Sequence, residues 1–128
     1  MGLDMFLYDA KDENDRCEIG YWRKVNCVHG WFVNNVQKGV DDCGIYPVTR
    51  DNLLKLKEAC VKTLEHKDIK DPYERGLKAR EILPPMEGFF FGDRGVSDYY
   101  FDDLEYTVEI LNKVLDGGRD IVYYQSSW

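Results

Sequence analysis

The chain has 128 residues, 44% of them hydrophobic and 14% aromatic, which supports one globular domain over 1–128 and excludes a disordered chain. The net charge of −7 argues against a broad electrostatic grip on nucleic-acid phosphates and suits a surface that docks on a basic partner. No apolar run approaches the roughly 20 residues of a membrane span. The start, MGLDMFLYDAKDE, lacks the basic and apolar stretches of a secretory signal, so the reading is a cytoplasmic protein with no membrane partner and reduced thiols.

Residues 3–8, LDMFLY, read as a strand, and residues 10–16, AKDENDR, as an exposed loop. A helical period begins near Tyr21 and lasts to about Lys38, where Gly39 supplies a stop. VDDCG is a turn, and IYPV a short extended piece that Pro47 keeps at a sheet edge or outside a sheet. Thr49 is a good N-cap for a second helix with a stripe of Leu53, Leu56, Cys60 and Leu64 and a Glu58–Lys62 pair on its wet side. Asp71, Pro72 and Glu74 form a capping box that opens a third, short helix, ended before Pro84 and Pro85. EGFFFG reads as a short strand and DRGVS as a loop. Ser97 or Asp98 caps a fourth helix running to about Asp116, with Tyr100, Leu104, Val108, Leu111 and Leu115 on its apolar face. Gly117 and Gly118 end it, and DIVYYQ is the closing strand. The expected fold is α+β: about four helices on a small, mainly antiparallel three-stranded sheet of LDMFLY, GFFFG and IVYYQ.

Chemical motifs are sparse. There is no Walker A loop, HExxH or GxSxG, so no catalytic residues and no cofactor are assigned, and an enzyme has no support. Cys27 and His29, flanked by Cys17 and Cys43, fit no standard zinc spacing, and no metal is assigned. Cys43 with His29 has the chemistry of a nucleophile and base, but nothing in the sequence brings them together. Asp41 and Asp42 are adjacent and point opposite ways in an extended chain; they read first as a solvated turn. Asp98, Asp102, Glu105 and Glu109 make an acidic stripe on the fourth helix, and Asp103, beside its apolar face, is the candidate for a buried salt bridge.

The densest mixture of ring and polar groups is GYWRKVNCVHGWF. On a helix, Trp22, Val25, Val28, Phe32, Val33 and Val36 share one face, with His29 inside that arc and Asn26 at its edge. Trp31 falls on the opposite face with Lys24. Ordinary packing accounts for each of these: His29 bonded to backbone in the core, Asn26 tying the helix to a loop, and Trp31 under the AKDENDR loop, under the tail or in a dimer contact. Arg23 and Lys24 then pair with surface carboxylates. The sharper reading is a ligand pocket. Trp22, Trp31 or Tyr46 stack on a base, Arg23 and Lys24 meet phosphate, and Asn26, His29 and Gln125 read polar edges, with Asp42 among the ligand-binding residues and either Asp41 or Asp42 free to hold a metal or orient Arg23.

The combination EIGYWRKVNCVHGWFVNNVQKGVDDCG, EGFFFG, YYFDDLEYTVEIL and YYQSSW, after the start MGLDM, resembles a family of small proteins of tailed phages and prophages. The resemblance covers most of the chain, with residues 10–16 and 65–80 as variable parts. It implies an accessory gene product in the cytosol of an infected bacterium and supplies no catalytic residues. The expected function is counter-defence by sequestering a nucleotide-derived signal without chemistry. The alternative is an acidic protein–protein inhibitor of a host defence or nucleic-acid-binding protein. Exposed aromatics such as Trp31 and Trp128 favour a homo-oligomer in either case.

Overall fold

The computed structural model describes residues 2–86 and 95–128. Strands β1 (Asp4–Tyr8) and β2 (Glu18–Arg23) are joined by the charged loop and pair antiparallel. Helix α1 (Asn26–Asn35) leads to β3 (Ile45–Thr49), and helices α2 (Arg50–Leu64), α3 (Pro72–Ile82) and α4 (Asp98–Asp116) precede β4 (Ile121–Ser127). Among the described residues the sheet has four strands in the order β2-β1-β4-β3, antiparallel throughout. The α+β class is as expected, as are the four helices among the described residues, but the sheet gains two strands that the sequence pattern did not assign to it. The expected strand EGFFFG lies outside the described residues.

Glu18–Arg23 is the larger correction, because the helical period had placed Trp22 on a helix. Trp22 pairs with Met5 across the sheet and points inward. Val25 and His29 also point inward, from the following link and helix. A strand and a helix burying the same side in succession imitate one continuous helical stripe. Pro47 lies on β3, an edge strand, where a missing N–H costs no internal ladder bond.

The inner face of the sheet carries the core. Leu3, Met5, Leu7, Val48, Val122 and Tyr124 are fully buried there, closed by Phe32 of α1, Leu53 and Leu56 of α2, and Leu104 and Leu111 of α4. Gly20 permits the closest approach: a methyl group at that position would stand 2.7 Å from Ile110 Cγ2 of α4. Local chemistry sets the helix ends. Thr49 accepts from the Asn52 N–H while the Asn52 side chain accepts from the Thr49 N–H, a reciprocal cap. Asp71 accepts from the Tyr73 N–H with Pro72 at the first turn, so Asp71 caps through Tyr73 and not through a pairing with Glu74. The α1 exit is closed by the Gly39 N–H donating to the Val33 carbonyl, with Gly39 at φ +83°. On α4 the buried face adds Phe101, Thr107, Ile110 and Val114 to the expected stripe, and Val108 is half-buried.

Among the described residues, the opposite face of the sheet carries no helix of the core. It presents Phe6, Tyr8, Tyr21 and Tyr123, with Ile45 and Pro47 on β3.

Candidate functional site

The residues singled out in the sequence do not converge on one hollow. They divide among five places.

Two of them are in the core. Trp22 is 1% exposed, its ring packs edge-on against Phe32, and its indole N–H donates to Thr107 Oγ1 at 2.9 Å. Trp22 therefore offers no face for a base. His29 is fully buried. Its Nδ1 lies 2.6 Å from the Tyr124 hydroxyl and its Nε2 lies 3.0 Å from Asp41 Oδ1. A carboxylate only accepts, so Nε2 carries the proton and donates to Asp41, and Nδ1 accepts from Tyr124. The Trp128 indole N–H donates to the same Asp41 oxygen at 3.1 Å. The result is a hydrogen-bonded chain from β4 through α1 to the turn after α1 and the C-terminal residue. Burial pushes the His29 pKa down, and the hydrogen bond and charge of Asp41 oppose that shift. Burial also pushes the Tyr124 phenol well up, so it stays a donor. His29 is thus a core histidine, held by side chains and not by the backbone partner first expected.

A second group sits at the turn. Asp42 has other partners than Asp41 and accepts from the Gly44 N–H and the Tyr46 hydroxyl. These bonds lower the Asp42 pKa, and the Asp42 carboxylate raises that of Tyr46. Arg23 is not the partner of Asp42. It reaches Asp4 at 2.8 Å on the open sheet face, where Tyr21 also donates to Asp4. Gln125 shares that face, accepting from Arg16 and donating to the Cys43 carbonyl. Trp31 lies elsewhere again, half-buried and edge-on to Phe32, beside Ile82 and Pro84 in a hollow of about 120 Å3. Neither the charged loop nor the tail lines that hollow.

Lys24 and Asn26 do share a hollow. It is a cleft of about 240 Å3 between the β2–α1 link and the start of α4, lined also by Ser97, Tyr99, Tyr100 and Asp103. The chain turns sharply into it: Lys24 has φ 58°, a left-handed conformation that costs a non-glycine residue energy. Its N–H donates to the Leu3 carbonyl, which fixes the turn. The N-termini of α1 and α4 both end at the cleft, and neither carries a side-chain cap. Each brings the positive end of a helix dipole. Asn26 Oδ1 accepts from the Met86 N–H at 3.2 Å, tying α1 to a neighbouring loop. Tyr99 is 80% exposed and stands at the rim, while Tyr100 is buried and donates to the Leu83 carbonyl. Asp103 is half-buried, and burial with Asp102 beside it raises its carboxyl pKa. The expected salt bridge to Asp103 does not form among the described residues.

Tyr99 and Asp103 were not assigned to a ligand from the sequence. The signal was present in SDYYFDD, a polar and aromatic cluster at a helix start, but nothing in one dimension places it opposite Lys24.

Among the described residues no group of histidine, cysteine and carboxylate side chains is arranged to hold a metal, and no helix is long and apolar enough to cross a membrane. Cys27 and Cys60 are buried and free, and burial raises both thiol pKa values, that of Cys60 to about 12. Comparison of the chain with protein-family models, with curated proteins and with solved structures finds no match.

Proposed function

We propose that the protein binds a small anionic molecule of the nucleotide class in the Lys24–Tyr99 cleft and sequesters it without chemistry. One observation carries this reading: a single cleft joins a lysine, the positive ends of two helices and an exposed tyrosine ring. Lys24 and the helix ends suit phosphate. Tyr99 suits a base, whose stacking contributes roughly 1–3 kcal/mol. The Asp103 carboxyl, half-buried at the wall, suits a ring N–H or a sugar hydroxyl. In the setting implied by the resemblance to phage proteins, such a molecule is a host defence signal and its capture is counter-defence in the host cytosol.

Thermal unfolding with cyclic di- and trinucleotides and ADP-ribose derivatives tests the proposal. A ligand at about 100 times its dissociation constant adds about 2.7 kcal/mol and raises Tm. Lys24→Glu and Tyr99→Ala should abolish the rise, whereas Arg23→Gln, outside the cleft, should retain it. A sequestering protein returns the ligand unchanged after heating; a converted ligand identifies an enzyme. No rise with any compound sinks the reading.

A second reading has its own observation. Asp98 and Asp102 on α4 and Asp68 after α2 crowd one exposed hollow, where Lys67 pairs with Glu105 at 2.8 Å. This patch suits an inhibitor that docks on a basic host protein. Capture of such a protein should weaken as salt rises and disappear with Asp98→Lys and Asp102→Lys.

A further inference from the structure

The open face of the sheet is a second surface, separate from the cleft. β1 turns Phe6 and Tyr8 outward with ring centroids 5.7 Å apart and planes 11° from parallel. Tyr21 of β2 meets Phe6 at 5.3 Å, and Tyr123 of β4 stands opposite Tyr8. The Arg16 guanidinium lies over the Tyr8 ring at 4.5 Å. The β3 side is aliphatic instead, with Ile45, Pro47 and, beyond the end of β1, Ile121 on β4, which is 48% exposed. Antiparallel sheets commonly leave one face to water, but that face is then polar. On this one rings or aliphatic groups stand on every strand, between polar groups such as Asp4, Glu18, Arg23 and Gln125.

We propose that this face is the interface of a symmetric dimer, with a second copy of the chain as its occupant. Three features select that occupant. The first is charge. The chain carries −7, yet the face holds Asp4 and Glu18 against Arg16 and Arg23, a formal sum of zero. Two copies meeting here bring no excess of like charge together, and a polyanion finds no surplus of cations. The second is self-complementarity. A two-fold axis along the strands lays β1 on the partner's β4 and β2 on the partner's β3. The register then brings Tyr8 over a second Tyr123 and Tyr21 over a second Ile45. Phe6 comes over a second Gln125, so the ring-rich β1–β2 half of each face lies on the β4–β3 half of the other, in the aligned packing of two sheets about 10 Å apart. The third is area. Four strands about 4.8 Å apart, with five residues rising about 3.4 Å each, give roughly 300 Å2 in plan. Standing side chains enlarge this, so two copies bury on the order of 1,000 Å2, the lower end for a specific complex. Pairing through a sheet edge is disfavoured on the β3 side by Pro47.

Sedimentation velocity between about 1 and 300 µM, where an interface of this size dissociates, tests the proposal. The wild-type mass should rise with concentration from 15.0 kDa toward twice that value. Tyr8→Lys and Tyr123→Lys should each weaken association about a hundredfold by burying a charge in the interface. Tyr99→Ser, in the cleft, should leave it unchanged. A wild-type protein that stays monomeric overturns the proposal whether or not the variants fold. So does association that survives both lysine variants with their unfolding transitions intact. Tyrosine quenching by single-stranded oligothymidylate, lost in Tyr8→Lys, would assign the face to nucleic acid and overturn it equally.

Discussion

Tyr124→Phe isolates one hydrogen bond in the buried chain. The ring stays, because its stacking on Phe32 at 3.9 Å and 11° does not use the hydroxyl. What goes is the donor 2.6 Å from His29 Nδ1. His29 and Tyr124 are both 0% exposed, so no bulk water replaces it. The imidazole cannot turn away, since its other nitrogen is held by Asp41 at 3.0 Å. A buried acceptor left without a donor costs about 1–3 kcal/mol. For a chain between the usual size classes, about 2 kcal/mol lowers Tm by roughly 6–8 °C. Urea unfolding should show a lower midpoint with an unchanged slope. His29→Leu added to Tyr124→Phe should cost about 1–2 kcal/mol less than His29→Leu alone, because the Tyr124 hydroxyl is no longer left orphaned. A Tyr124→Phe protein within about 0.5 kcal/mol of wild type, together with additive behaviour in the cycle, would refute the chain as a stabilising element.

Other outcomes follow from the same structure. The His29 pKa is depressed in the fold, chiefly by burial, so below its ordinary value of 6.5 the unfolded chain takes up a proton that the native chain refuses. Stability from this site is complete above pH 6.5 and falls as pH drops toward the native pKa, by at most about 1.4 kcal/mol per pH unit. The urea midpoint of wild type minus that of His29→Gln, followed from pH 8 to pH 5, should show this fall, and a flat difference would contradict it. Gly20→Ala drives a methyl group to 2.7 Å from Ile110 Cγ2 and should destabilise by about 1–3 kcal/mol; paired with Ile110→Ala, which removes Cγ2, it should cost less in calorimetry than the sum of the two single changes. Thr49→Ala removes the reciprocal cap of α2 and should cost about 0.5–2 kcal/mol, with the drop in helix signal by circular dichroism confined to the melting region. Trp22→Phe leaves Thr107 Oγ1 without the indole donor in the core, and denaturant unfolding should register a loss of about 1–3 kcal/mol.

The sequence by itself determined what rests on neighbours along the chain. Thr49 caps α2, Pro72 opens α3, Gly117 follows α4, Glu58 reaches Lys62, and the runs at 3–8 and 120–125 give β1 and most of β4. The caps and the ion pair are fixed by contacts within about four positions, and the two strands show as short runs of apolar and aromatic residues, both of which a one-dimensional pattern contains. The assignment of Glu18–Arg23 to β2 was hidden, because Trp22, Val25 and His29 face inward from a strand, a link and a helix at spacings that also fit one helix. Its strand form depends on pairing with β1, a partner beyond the loop. The candidate site was legible only in part. Lys24 and Asn26 stand out in the sequence as polar groups among rings, and Tyr99 and Asp103 as a polar cluster at a helix start. That these four meet, while His29 closes on Tyr124 and Asp41 some 95 and 12 positions away, was decided by the packing of α1 and α4 on one face of the sheet. Which polar groups face a hollow and which satisfy one another depends on contacts between residues distant in sequence, and only the tertiary structure supplies those.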